Sequence, residues 1–132
     1  MIPKQPKYRA KKCAFEGRIY DSQAEMKRAM ILKIWLAEGH ISDLEYQPRF
    51  TLQEAFRDNC GRLNRKIEYV PDFYYFEVAT FQSVAEDVKG MQTPDYRLKA
   101  KLFRAKFPDL VHREIKNGRD MLTHKPKKRK GK

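Results

Sequence analysis

Apolar residues recur at helical spacing in two stretches of the chain. From Ser22 to Glu38 they occupy Met26, Ala29, Met30, Leu32, Ile34 and Leu36, with Ser22 and Glu25 forming a capping-box pair at the start and Gly39 a stop. The spacing predicts a helix over 22–38. Its apolar positions run nearly all the way round, so it is expected to be buried on most sides, against a sheet. The second stretch opens with Thr93 as a cap and Pro94 in the first turn, and runs to Phe107 before Pro108 stops it. Tyr96, Ala100, Phe103 and Phe107 fall on one face, and Arg97, Lys101 and Arg104 line a neighbouring stripe.

The remaining apolar runs have strand character. Residues 44–53 alternate and contain Pro48, which belongs at an edge or a bulge; 65–78 is rich in Tyr, Phe, Ile and Val; 83–89 is a third, shorter run. A polar turn over 57–64, with Asp58, Asn59 and Gly61, joins the first two, and 80–83 carries the next connection. Residues 110–115 form a last strand, and from Lys116 onward no stretch has the composition to pack. The order helix, three strands, helix, strand predicts an α/β fold on a small mixed sheet flanked by helices.

Charge divides the chain in a way that hydropathy does not. The formal net charge is +12, from 29 Lys and Arg against 17 Asp and Glu. Residues 1–12 hold five basic groups and no acid, and 123–132 hold six and no acid, which leaves a nearly neutral body. The expected organisation is a basic arm over 1–12, one domain over 13–116, and a basic, disordered tail over 117–132. Such ends suit phosphates, and Lys127, Lys128, Arg129 and Lys130 are candidate DNA contacts together with the Arg97, Lys101 and Arg104 stripe. No apolar run approaches the ~20 residues a membrane helix needs. The basic, proline-dotted start lacks the apolar segment of a signal peptide. Cys13 and Cys60 stand apart, and His40, His112 and His124 are scattered. Neither a zinc site nor a disulfide framework is indicated, and a reducing, cytoplasmic setting is expected.

The stretch that carries chemistry is Tyr69-Val70-Pro71-Asp72, followed by Glu86-Asp87-Val88-Lys89. On a strand Asp87 and Lys89 share a face while Glu86 and Val88 take the other. Two carboxylates and a lysine at a sheet edge suit Mg²⁺, which takes oxygen ligands and is commonly held by one or two carboxylates plus a substrate phosphate.

Pro71-Asp72 with Asp87-Val88-Lys89 resembles the signature of the PD-(D/E)xK nuclease superfamily, and the predicted element order resembles its restriction-endonuclease-like core. More closely, Glu25 on its helix, Gln47-Pro48, Pro71-Asp72, the Asp-Val-Lys-Gly and the Lys-rich helix resemble small phage-encoded nucleases related to Holliday junction resolvases, over roughly residues 8–115. Gln-Pro, Pro-Asp and acid-x-Lys are also similar to the endonuclease subunit of Tn7-type transposition systems. The resemblance implies an Mg²⁺-dependent endodeoxyribonuclease, with Mn²⁺ a possible substitute. It implies that Asp72, Asp87, the Val88 carbonyl and Glu25 hold the metal, that Lys89 stabilises the attacking hydroxide, and that Gln47 orients a metal-bound water. It further implies branched or junction DNA as substrate, a symmetric homodimer with the apolar 29–37 stretch as candidate interface, and the cytoplasm of a bacterial host.

The residues by themselves leave other readings open. Glu25 is equally the glutamate of its capping box, Asp72 a bulge residue, and Asp87 with Lys89 a surface ion pair worth ~0–1 kcal/mol. Glu86 alternates away from the site, toward solvent or a basic neighbour. The alternatives are a nuclease of another substrate class, such as a nickase or a transposition-type end cutter, and a non-catalytic DNA-binding module.

Overall fold

The computed structural model describes residues 12–88 and 92–116 and the backbone of 119–124. It opens with a short hairpin, β1 (Cys13–Phe15) and β2 (Arg18–Tyr20), whose two-residue turn Glu16-Gly17 has positive φ at both positions, 49° and 76°. Such a turn matches the twist of the strands it joins. Sequence patterning gave no sign of this hairpin, because three-residue strands are too short to show a period.

Helix α1 (Gln23–Ala37) follows, with the Ser22 Oγ accepting the Glu25 amide at 3.1 Å and Gly39, at φ 82°, ending it. The helix lies where its capping signals place it, but burial on most sides is not observed. It buries one face, through Glu25, Arg28, Ala29 and Leu32, and leaves Met30, Ile34 and Leu36 exposed. Two charged residues on the buried face and three apolar ones outside explain why hydropathy alone misjudged it.

The strands are more finely divided than their composition suggests. The 44–53 run is two strands, β3 (Ile41–Tyr46) and β4 (Phe50–Gln53), broken at Gln47-Pro48, where Gln47 adopts φ 50°. The polar turn carries a hairpin of its own, β5 (Phe56–Arg57) with β6 (Leu63–Asn64). The 65–78 run splits at Val70-Pro71-Asp72 into β7 (Ile67–Tyr69) and β8 (Phe73–Glu77), and β9 is Gln82–Val88. Proline lacks the amide a ladder needs, which accounts for both breaks. Then come α2 (Pro94–Lys106), capped by Thr93, and β10 (Val111–Lys116).

One further strand, β11 (Arg119–His124), pairs antiparallel with β10 inside the segment expected to be tail. A tail starting at 117 is therefore corrected. Main-chain pairing to an open sheet edge requires no apolar composition.

The main sheet runs β11-β10-β9-β8-β3, with β9 and β10 parallel and the other neighbours antiparallel. The parallel pair needs a crossover, and α2 supplies it. This is the mixed α/β arrangement that the element order predicts. Helix α1 covers one face over a core of Ala29, Leu32, Phe73, Tyr75, Val84 and Val111. Helix α2 and the β4–β7 ribbon cover the other over Tyr69, Ala85 and Phe103. Among the described residues no helix is long and apolar enough to cross a membrane.

Candidate functional site

The break between β7 and β8 is where the site begins. Pro71 is buried, and the residue after it, Asp72, turns a carboxylate oxygen onto the Val88 amide, which donates to it at 2.8 Å. The Asp72 carbonyl accepts the Gln47 amide at 3.1 Å. Residues 47 and 72, from two strand breaks, and 88, at the end of β9, are thereby tied at one corner of the sheet.

Register then places the second acid. Phe73 pairs with Glu86, so one step back along antiparallel strands sets Asp72 opposite Asp87. Asp87 is fully buried and, like Ala85, belongs to the face covered by α2. Its partner on the parallel strand β10 is Glu114, also buried. The Gln92 side-chain amide donates to Glu114, and Arg104 Nη1 lies 3.9 Å from the same carboxylate.

Tyr96, half-buried on α2, lies in the field of these acids. Burial first, then the negative charges of Asp87, Glu114 and Asp72, raise its hydroxyl far above the ordinary tyrosine range, with Arg104 pulling the other way. His112, wholly buried behind them, has Nε2 2.9 Å from the Tyr69 hydroxyl and 3.7 Å from Asp87 Oδ2, and Nδ1 3.1 Å from Arg104 Nη1. Arginine only donates, so Nδ1 must accept and the ring proton sits on Nε2, directed at the Tyr69 oxygen.

A second polar network fills the α1 side of the same strands. Arg28 donates twice to Glu86, from Nε at 2.7 Å and from Nη2 at 2.8 Å. The Tyr75 hydroxyl donates to Glu86 at 2.7 Å, and Arg113 Nη1 donates to Tyr75 at 2.9 Å and to Glu77 at 3.0 Å. Burial opposes the Arg28 charge, yet Glu86 outweighs it and the guanidinium is held more firmly protonated than usual. Glu86 thus has the basic partner that strand alternation allowed, in the interior and not at the surface.

Of the residues that the sequence singles out, the structure brings Asp72, Asp87 and Val88 together. The Val88 amide is engaged by Asp72. Gln47 is exposed and meets Asp72 through its main chain. Glu25 is buried in the first turn of α1, and its charge, after burial and Tyr46, helps push the Tyr20 hydroxyl up to about 12. Among the described residues no three His, Cys, Asp or Glu side chains are grouped to hold one metal ion.

Lys89 and the candidate contacts Lys127, Lys128, Arg129 and Lys130 lie outside the described residues. Arg97 and Lys101 are exposed on α2, as a phosphate-binding stripe requires. Arg104 is not a free member of that stripe, because its guanidinium is turned inward onto His112 and Glu114.

Sequence reasoning missed His112, Glu114, Gln92 and the polar role of Tyr96. The signal was present. His112 and Glu114 alternate onto one face of β10, and a crossover after β9 makes that strand the parallel neighbour of the one carrying Asp87.

No curated protein and no solved structure matches the chain. A family model described as Protein of unknown function (DUF1064) matches residues 5–120, nearly the whole chain, and the chain belongs to that family.

Proposed function

We propose that this protein is a metal-dependent DNA endonuclease with a restriction-endonuclease-like core, acting on branched DNA as Holliday junction resolvases do. The observation that carries the reading is the meeting of Asp72 and Asp87 at the end of β8 and β9, with Glu114 in register beside Asp87. Carboxylate oxygens are the donors Mg²⁺ prefers, and two of them with substrate phosphate make a common site for it, so the donor set fits. Mn²⁺ would serve as a substitute. Asp72 and Asp87 would hold the ion, with the Val88 carbonyl as a further oxygen; Glu25, which the resemblance adds, is not grouped with them among the described residues. When bound, the ion supplies a nucleophile at neutral pH and neutralises charge on the phosphate. Lys89 would stabilise the attacking hydroxide, and Gln47, whose main chain is bonded to Asp72, would orient water.

Arg97, Lys101 and the basic ends Lys127–Lys130 draw in the phosphate backbone. Junction preference comes from the resemblance, as do the setting in a bacterial cytoplasm and the symmetric homodimer. The exposed Met30, Ile34 and Leu36 of α1 support that helix as the dimer contact.

Cleavage of a four-way junction, a flap, a linear duplex and a single strand, each with Mg²⁺ and with chelator, tests the proposal. Junction cutting that chelator stops, and that Asp72→Asn and Asp87→Ala each abolish while DNA binding persists, is the expected result. Preference for another of these DNAs would point to a nickase or a transposition-type end cutter. The second reading is a DNA-binding module with structural acids, and the bond from the Val88 amide to the Asp72 carboxylate is the observation that favours it. DNA binding without cleavage of any substrate would establish that reading instead.

A further inference from the structure

Residues 48–71 leave the site and return to it, since Gln47 and Asp72, on either side of this excursion, are hydrogen-bonded to each other. The inner half, β4 with β7, is docked. Phe50 packs its ring against Phe103 and Phe107 at 5.1 and 5.3 Å, and Lys106 Nζ donates to the Thr51 carbonyl at 2.8 Å. The outer half, β5 with β6, belongs to neither apolar core. There Phe56 is 45 % exposed and Leu63 58 % exposed.

The outer half is ordered by its own polar bonds. One Asp58 carboxylate oxygen accepts the amides of Cys60 and Arg62, both at 3.0 Å, and the Asp58 amide donates to the Arg62 carbonyl at 3.0 Å. Gly61 takes φ 79°, and Arg57 Nη1 donates to its carbonyl at 2.9 Å. A tip built this way is held in shape without burying its large apolar side chains.

Its charges point to an anionic partner. Residues 49–69 hold five basic and three acidic groups, of which Glu68 is engaged by Arg49 and Lys66 and Asp58 by the turn. Arg57, Arg62 and Arg65 are exposed. Phe56 pairs with Asn64 and Arg57 with Leu63, so alternation puts Phe56 on one face of the hairpin and Leu63, beside Arg57, on the other. Each face of a thin finger therefore presents one large apolar side chain beside a polar one.

We infer that the hairpin tip, residues 56–64, is a DNA-contacting finger. Arg57, Arg62 and, at its root, Arg65 bind phosphates, while Phe56 and Leu63 wedge against bases left unstacked at a branch. A two-stranded ribbon fits a DNA groove, and apolar side chains pack at steps that have opened. A branch point has already lost part of its stacking, so the wedge meets less resistance there than in a continuous duplex. A second copy of the chain is the poorer occupant, since a contact between like tips would crowd these arginines together. The inference rests on the DNA-cleaving reading and adds to it the feature that selects the branch.

The test uses the full chain in chelator with a fluorescent four-way junction and a linear duplex, the junction also carrying 2-aminopurine beside the branch. Phe56→Ala/Leu63→Ala should lose about tenfold in junction affinity, change duplex affinity by less than about twofold, and remove the 2-aminopurine response that wild type gives. Arg57→Gln/Arg62→Gln/Arg65→Gln should weaken both DNAs and flatten the salt dependence by about three units of slope. Unchanged Cys60 and Arg62 amide shifts in the Phe56→Ala/Leu63→Ala variant confirm that its tip keeps its shape. Wild-type affinity in both variants overturns the finger while leaving the nuclease reading intact, and so does loss of self-association without DNA in the apolar variant. Tip-dependent junction binding without metal-dependent cleavage would keep the finger and sink the nuclease reading.

Discussion

Arg28 and Glu86 meet through two parallel hydrogen bonds of 2.7 and 2.8 Å, with both side chains buried beneath α1. The pair joins α1 to β9 at the residue next to Asp87. Together with the packing of Ala29 and Leu32 over Val84, this contact ties α1 to the strand that carries Asp87. Because both charges are out of water, removing either partner strands the other. Arg28→Met or Glu86→Leu alone should cost ~3–5 kcal/mol, a large part of the stability of a domain this size. The double variant should be less destabilised than the sum of the two. Urea denaturation of the four proteins measures the coupling, and additive losses would show that the pair carries no joint energy.

Arg104 sets the tautomer of His112, because a guanidinium can only donate to Nδ1. Imidazole ¹⁵N shifts should show His112 protonated at Nε2 in wild type. In Arg104→Met the Nδ1–H form should become visible. His112→Leu should lose ~1–3 kcal/mol, since it leaves the Tyr69 hydroxyl without its buried partner. A wild-type spectrum showing Nδ1–H would contradict the arrangement.

Local signals made part of this molecule legible in advance. Ser22, Gly39, Thr93 and Pro94 set the helix ends, because caps and stops act within one turn of chain. Pro71-Asp72 and Asp87 stood out through their resemblance to a nuclease signature, and the antiparallel pairing that brings their strands together is a short-range rule. Glu114 and His112 were not, since their place beside Asp87 depends on which strand β10 joins after α2 crosses over. Arg28 was hidden for a similar reason. A charged residue on a buried helix face makes sense only once Glu86 arrives from a strand 58 positions away.

The C-terminal basic run can be removed without touching the sheet if the cut respects β11. Thr123 pairs with Arg113 and His124 with His112, so a deletion starting at 123 would shorten a strand as well as remove charge. Truncation after His124 removes six basic residues and should weaken DNA binding, reduce its salt slope by up to about five units, and leave cleavage at saturating DNA nearly unchanged. Anisotropy titrations at several salt concentrations, paired with turnover at saturation, separate the two effects. Lost turnover at saturation would give the tail a role beyond binding.

Asp58 makes the hairpin tip responsive to acid. Its carboxylate accepts the Arg62 and Cys60 amides and the Asn64 side chain, and these bonds, the Arg62 amide foremost, hold its pKa below the ordinary aspartate value against a smaller opposing effect of desolvation. A depressed folded pKa means that the stabilisation is full above the unfolded value of ~3.9 and is lost as pH falls through the folded one. The Cys60 and Arg62 amide resonances should therefore hold steady from neutral pH down to about 4 and move together below it. In Asp58→Asn the tip keeps an acceptor but loses the charge, so the same resonances should show no such titration. If wild type and Asp58→Asn titrate alike, another acid governs the tip and the order of the finger does not depend on Asp58.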